Sequence, residues 1–227
     1  MTLLYQGRLA ERVGGREEEA GPLSIVVKPP GVRHADRYGP DGAWTLQVSF
    51  APGYLETGRP EWHLGGWRWS HGGEGVRPFL ALLESVRRAP AAGADSESLV
   101  FELLAAMSLP GSRPVRGTAP RWLERARTRI DETESGPEPL RVRCLAEEAG
   151  VHPVSLARAF RRHYGITATA AIRRRRIAAA ARALSEGDAR LSHIALDAGF
   201  ADQAHFCRVF KGATGLTPLR FRHLARA

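Results

Sequence analysis

Arg158 and Arg208 stand fifty positions apart, each two residues before a phenylalanine and seven before a glycine: Phe160 and Gly165 in one case, Phe210 and Gly215 in the other. Both arginines lie in recurring text. GVHPVSLARAFRRHYGIT (150–167) returns as GFADQAHFCRVFKGATGLTP (199–218) with one residue inserted. Ala146, Ala149, Gly150 and Thr167 match Ala195, Ala198, Gly199 and Thr217 in the same alignment. A guanidinium is a permanently charged, planar fork of donors, suited to phosphates and other anions. Two such forks on duplicated scaffolds point to a polyanion bound at two places. The charge distribution agrees. Net charge is +9, yet residues 1–114 hold 12 Lys+Arg against 13 Asp+Glu, whereas residues 115–227 hold 21 against 11. A basic half joined to a neutral half reads as a polyanion-binding unit attached to something else. Codon bias could account for the choice of Arg over Lys, but not for its concentration in one half.

Short helices must position these arginines. In LAEEAGVHPVSLARAF (145–160) one helix ends at Gly150, which tolerates positive φ. A second starts near Pro153, a residue suited to the first helical position. Leu145, Ala149, Val151, Leu156 and Phe160 then form one small core, leaving Val154, Ala157, Arg158 and Arg161 outside. In the second copy Ile194, Ala198, Phe200, Phe206 and Phe210 make the core, and Gln203, Ala204, Cys207, Arg208 and Lys211 face out. This is a helix-turn-helix, whose second helix can enter a DNA major groove. One copy resembles any pair of packed helices. Two copies, joined by a long helix over 168–185 in a basic half, are far more specific.

The stretch IALDAGFADQAHFCRVFKGATGLTP (194–218) follows almost throughout a signature of the AraC/XylS transcription regulators, and residues 118–224 resemble that family's DNA-binding domain. The resemblance implies that helices 153–163 and 202–212 are recognition helices. Carried over by position, base reading falls on Val154, Ala157 and Arg158 in the first unit, and on Gln203, Ala204, Cys207 and Arg208 in the second. Arg can be bidentate to guanine and Gln to adenine, while Val and Ala offer contact with a thymine methyl. Arg161, Arg162 and Lys211 suit phosphates. Arg173–Arg176 spread around their helix, so only part of the run can face DNA; Arg176 falls where the family has an Arg expected to brace the two subdomains. His152 and Ala201 stand where a capping Ser is usual, which predicts a loss of ~1 kcal/mol for each missing cap. The resemblance further implies double-stranded promoter or operator DNA as partner, RNA polymerase as well for an activator, and a small-molecule effector. A homodimer and a cytoplasmic, nucleoid-associated protein are expected as well, on the apolar faces of the first half and the lack of a membrane span.

The first half reads differently. TLLYQG, RLAERV, SIVVK and WTLQVSF are strand-like, with a Gly14-Gly15 turn and Gly/Pro punctuation between them. VRPFLALLESVRR (76–88) and ESLVFELLAAMS (97–108) are helical, with Phe79, Leu82, Leu83 and Val86 on one face. Their apolar surface exceeds what a small sheet needs, which predicts self-association through Leu80, Leu83 and Val86. SLPGSRPVRGTAP (108–120) reads as a linker. PPGVRH followed by WTLQVSF resembles the cupin-like sensor domain that often precedes this DNA-binding module. On that resemblance His34 points to the barrel mouth and is the one candidate for effector contact; a hydrogen-bonded turn residue is the alternative. A lone His makes no metal site, so neither metal nor cofactor is expected. RPEWHLGGWRWSHGG (59–73), with three Trp and two His, reads as a pocket lining or as a packed cover over the sheet.

The expected fold is thus a multidomain α+β chain. A small cupin-like antiparallel β domain with flanking helices occupies 1–110, a linker 111–120, and an all-α domain of two helix-turn-helix units joined by a long helix 121–227. Hydrophobic content of 43% and 25% charged residues suit a globular protein. No apolar run approaches the ~18 residues that span a bilayer, and MTLLYQGRLAERV lacks a signal-peptide layout. Cys144 and Cys207 alone make neither a disulfide framework nor a cysteine zinc site, and read as reduced, partly buried thiols. A cupin enzyme fused to this module would need converging His and carboxylates, and a repair alkyltransferase would need reactive cysteines outside the repeats. Neither set is present, and no catalytic residue is named. Two readings stay open: a regulator governed by an effector, and a DNA-binding protein whose first half only dimerises.

Overall fold

In the computed structural model, residues 1–51, 66–88, 93–108, 118–132 and 140–226 are described. Its first half is built on one long strand, β1 (Thr2–Val13), whose Leu3, Leu4, Tyr5, Leu9 and Ala10 are buried. One edge of β1 pairs antiparallel with β2 (Arg16–Ala20) across the Gly14-Gly15 turn, and with β3 (Ser24–Val27) nearer its start. β4 (Ala35–Gln47) lies antiparallel along the other edge, and β5 (Arg68–His71) adds to β3. The result is a curled antiparallel sheet.

This sheet departs from the expected strands at three places. TLLYQG and RLAERV are one strand. REEEA and RWSH are strands that alternation of apolar residues did not reveal. β4 starts at Ala35 and runs through Gly39-Pro40-Asp41-Gly42, text that reads as a turn. The reason lies across the strand pair. The β1–β4 register shifts between Leu4 and Gln6 and again between Gly7 and Leu9. Gly7 has φ +81°, and a Cβ there would overlap the Gly42 carbonyl oxygen. A bulge at which two backbones approach this closely needs glycine, and it lets the strand continue past its own turn signals.

Glu11 on β1 is fully buried and collects three donors: Lys28 Nζ at 2.7 Å, Trp67 Nε1 at 2.6 Å and Trp69 Nε1 at 2.9 Å. A buried carboxylate requires such partners. Trp67 and Trp69 therefore act as a polar-tipped cover, and residues 59–65 of the same segment lie outside the described residues. His34 is exposed, with Nδ1 3.2 Å from the Val32 carbonyl and Nε2 3.3 Å from Lys28 Nζ. It is not a lone group, since Glu11 and Asp36 stand close enough to share a cation with it. The Lys28 ammonium sits on Glu11 and beside His34, so a metal ion would have to displace a positive charge already in place.

The helices are α1 (Val76–Arg88) and α2 (Gly93–Ser108) in the first half. Those of the second half are α3 (Arg121–Glu132), α4 (Val142–Glu148), α5 (Pro153–Tyr164), α6 (Ala168–Glu186), α7 (Leu191–Asp197), α8 (Gln203–Thr214) and α9 (Pro218–Arg226). Of the expected linker 111–120 only 118–120 is described. Leu80 and Leu83, expected on a dimer surface, are 0% and 4% exposed. They belong to the chain's own core with Leu3, Ile25 and Phe79, because the open sheet needs α1 to cover it. Val86 and Phe101, each 40% exposed, are what α1 and α2 leave outside.

The two repeats keep different company. Leu145, Leu156 and Phe160 pack with Leu123 and Ile130 of α3 and with Ile172 at the start of α6. Ile194, Phe206, Phe210 and Phe221 pack with the far part of α6, through Ile177, Ala181 and Leu184, and in the same cluster with Phe79, Leu80 and Leu103. Polar contacts follow the same seam. Arg220 pairs with Glu84, and Arg87 donates to the Leu224 carbonyl and, at 3.2 Å, to the Tyr5 hydroxyl. The second repeat shares a core with the first half; the first repeat does not.

Candidate nucleic-acid interface

Six of the seven matched pairs in the repeat have a structural task. Ala146 and Ala195 are fully buried between helices, and Phe160 and Phe210 centre the two cores. Gly150 and Gly199 turn the chain at φ 65° and 79°, and Gly165 and Gly215 close α5 and α8 at φ 73° and 80°. Thr167 caps α6 by accepting from Ala170 N at 3.1 Å, and Thr217 accepts from Arg220 N at 3.3 Å. Ala149 and Ala198 are the C-caps of α4 and α7, Ala198 buried in the second core and Ala149, expected in the first core, only half-buried and outside it. Arg158 and Arg208 remain. Both are exposed, and neither makes an ion pair or side-chain hydrogen bond among the described residues. The same construction made twice puts an unpaired guanidinium at the same point of the second helix each time.

Around each arginine the helix presents a continuous outer face. On α5, Val154 is 50% exposed, Arg158, Arg161 and Arg162 are exposed, and Ala157 is half-buried. Their spacing of three and four residues sets Val154, Ala157, Arg158 and Arg161 opposite Leu156 and Phe160. On α8, Gln203, Ala204, Arg208 and Lys211 are exposed and Cys207 is half-buried, opposite Phe206 and Phe210. Arg161, Arg162 and Lys211 likewise have no carboxylate partner among the described residues. Cations elsewhere in this half do find one: Arg143 on Glu147 at 2.9 Å and Arg127 on Asp131 at 2.7 Å, each one turn along its helix. Each outward face thus joins hydrogen-bonding forks, small apolar groups and uncompensated positive charge.

Both helices are also better anchored than their sequences suggest. His152 does cap α5, its Nδ1 accepting from Val154 N at 3.3 Å. Ala201 is not a cap at all. α8 starts one residue later than expected, and Asp202 accepts from His205 N at 2.7 Å. The expected cost of two missing caps therefore does not arise. Arg176 donates to the Leu140 carbonyl at 3.0 Å, which ties α6 to the segment entering α4, within the first unit rather than between the two. Its pKa is lowered by burial and then by Arg141. Cys144 is exposed rather than partly buried, and Cys207 is half-buried. The contacts Arg220–Glu84 and Arg87–Leu224 join residues more than 130 positions apart, and no local pattern signals them.

The Helix-turn-helix domain family model matches residues 145–223. The chain is 34% identical over 102 residues to the probable transcription factor PqrA of Proteus vulgaris, a match covering 45% of this chain and 78% of that one. It is 30% identical over 181 residues to the HTH-type transcriptional activator RhaR of Escherichia coli (strain K12), covering 76% of this chain and 61% of the activator. The match therefore spans about three-fifths of that activator's length. Among solved structures, the C-terminal domain of AraT, a response regulator from Geobacillus stearothermophilus, aligns at 27% identity and a TM-score of 0.46, over 49% of this chain and 91% of that one. ToxT from Vibrio cholerae O395 aligns at 14% identity and a TM-score of 0.42, over 99% of this chain and 88% of that one. No described helix is long and apolar enough to cross a membrane.

Proposed function

The chain belongs to the AraC family of transcription regulators, and we propose that it reads two successive boxes of operator DNA, one with α5 and one with α8, under the control of a small effector bound through its first half. Its regulatory role and its helix-turn-helix domain go with the family. We assign the residues that read DNA from one observation: Arg158 and Arg208 are the only matched pair of the repeat without a structural task. Arg158 and Arg208 contact guanine edges, Gln203 an adenine, and Val154, Ala157 and Ala204 thymine methyls. Cys207 lines the second face. Arg161, Arg162 and Lys211 hold phosphates. The division into 1–110, 111–120 and 121–227 belongs to this reading as units of sequence, and the site of action is the cytoplasm, at the nucleoid.

Substitution separates the two kinds of contact. Arg208→Ala costs ~1–3 kcal/mol of DNA affinity and relaxes base preference at one box only, and Arg158→Ala does so at the other. Arg161→Ala weakens binding to all sequences about equally. Selection of bound fragments from a random pool measures this, and an unchanged preference in both Arg→Ala variants would refute the assignment. Salt gives an independent measure. With ~6–10 phosphates neutralised, affinity falls ~10³–10⁵-fold between 50 and 200 mM salt. A salt-insensitive complex would mean that the basic half is not the electrostatic footprint.

A homodimer is part of the same reading, as is contact with RNA polymerase for an activator. With Leu80 and Leu83 inside the core, Val86 is the exposed apolar group that α1 offers a second copy. Sedimentation of the full chain at micromolar concentration tests this. A dimer that Val86→Asp dissociates is expected, and a chain monomeric throughout ends the idea.

A further inference from the structure

Between the curled sheet and the spacer helix lies a cleft of about 880 Å³ that no step of DNA reading uses. β1, β2, β4 and β5 supply one side, and α3 and α6 the other. Its volume suits a ligand of a few tens of atoms. On the α6 side Arg174, Ala178 and Arg182 succeed one another at intervals of four, which aligns them on one face of the helix. Two guanidinium side chains thus flank a methyl group. Arg174 lies along the backbone of Gly72 and Gly73, just beyond β5. A Cβ built on Gly73 would stand 3.2 Å from its Nη2, and one on Gly72 3.4 Å from its Cγ. The same strand places Trp69 in the cleft, its ring parallel to His71 at 6.3 Å, and β4 contributes Tyr38.

Part of the charge lining the cleft is already paired. Glu17 is held by Arg37 at 2.7 Å, Glu18 by His71 at 3.0 Å and Asp131 by Arg127 at 2.7 Å, while Glu19 and Glu132 are exposed. Arg174 and Arg182 have no carboxylate within 4 Å among the described residues. Arg174 is half-buried. Burial lowers its pKa from the ordinary arginine value, Glu74 opposes that shift, and Arg127 and Arg173 add to it. A partly desolvated cation whose nearest opposing charge, Glu74, makes no ion pair with it within 4 Å is unfavourable, and an anion arriving beside it relieves the cost.

We propose that this cleft binds a small organic anion, its carboxylate or phosphate seated between Arg174 and Arg182 over Ala178 and its apolar body against Trp69 and Tyr38. The proposal rests on effector control and gives the effector a chemical class and a place. A ligand there ties β5 to α6, the helix that joins the two DNA-reading units, so occupancy is felt by their common spacer.

Calorimetry on the full chain without DNA tests the site, with 2-naphthoate, its neutral amide 2-naphthamide, and inorganic phosphate as probes. Naphthoate should bind at least about tenfold more tightly than naphthamide, the loss expected for a charge-assisted pair. Arg174→Gln with Arg182→Gln should abolish that preference, and Arg182→Lys should keep most of it. Ala178→Trp, which fills the space and leaves both charges, should also abolish binding, so the outcome does not hang on the arginine variants folding well. Phosphate that displaces naphthoate supports an effector bearing a phosphate; phosphate that does not supports a carboxylate. Equal affinities for naphthoate and naphthamide, binding of neither anion, or unchanged binding in the double variant would overturn the proposal. DNA affinity measured with and without naphthoate then separates the two ideas. An anion that binds as described and leaves DNA affinity unchanged keeps the site and ends the effector reading.

Discussion

Inserting five base pairs between the two boxes lowers the affinity of one chain at least about thirtyfold, to that of a single unit. α6 has 19 residues, and a rise of ~1.5 Å per residue makes it about 28 Å long. Successive major grooves on one face of B-DNA recur every ~34 Å, or ~10 bp. A helix of that length, with one recognition helix before it and one after, can serve both grooves. Half a turn of added DNA carries the second box to the opposite face, where no bend of the spacer reaches it. Each bidentate contact to a base contributes ~1–3 kcal/mol, and α8 offers two residues able to make one, Arg208 and Gln203, so ~2 kcal/mol or more is lost. That loss is the thirtyfold figure. Inserting ten base pairs restores the face but stretches the separation, and the recovery measures how far the DNA bends to meet the protein. Undiminished binding after five base pairs would mean that one unit reads sequence and the other is scaffold.

Phe79→Ala in the first half unfolds the second helix-turn-helix and spares the first. Phe79 is fully buried in the cluster that holds Phe206, Phe210 and Phe221 together with Leu3, Ile25 and Leu103. Removing a ring from such a site costs ~3–5 kcal/mol, a large part of the stability of an ordinary domain. The first unit draws its core from α3, α4, α5 and the start of α6. Hydrogen exchange reads the difference: amides of α8 lose protection together with those of β1 and β3, while α5 keeps its own. The same seam revises what an isolated fragment 115–227 should do. It carries the basic charge, so its binding stays salt-dependent. It also loses Phe79, Leu80 and Leu103 from the cluster that holds Phe206, Phe210 and Phe221, so its second unit is loose and its preference falls mainly on the box read by α5. An intact α8 in the variant would show that the two halves fold independently, and equal protection losses in α5 and α8 would show that the chain unfolds as a single cooperative unit.

Several parts of the molecule could be read from the chain because the information is local. Gly150, Gly165 and Thr167 and their later counterparts turn and cap helices within a few residues of themselves, so their recurrence is visible as text. Leu156 and Phe160, Phe206 and Phe210 recur at helical spacing, and that spacing alone sets Arg158 and Arg208 on the outer faces. The excess of Arg over acids after residue 115 needs no fold to be counted. Other features resisted for an equally physical reason. β4 passes through a Gly-Pro-Asp-Gly turn signal because its pairing partner, with Gly7 in a left-handed conformation, accepts the bulge. Leu80 and Leu83 looked like surplus apolar surface, since nothing local says that the open sheet lacks a second layer. His34 reads as solitary because Glu11 reaches it only through strand register, although Asp36 stands two positions along the chain and Lys28 six.

By itself, then, the sequence determined that the chain contains two helix-turn-helix units with arginines outward, because helix periodicity, capping and charge are properties of neighbours a turn or two apart. Only the tertiary structure decided that the second unit shares its core with the first half, that Glu11 is buried under two tryptophans, and that Arg174 and Arg182 face a cleft across from the sheet. Each of these joins residues from tens to more than a hundred positions apart, and such contacts are selected by the free energy of the whole packed chain rather than by any segment of it.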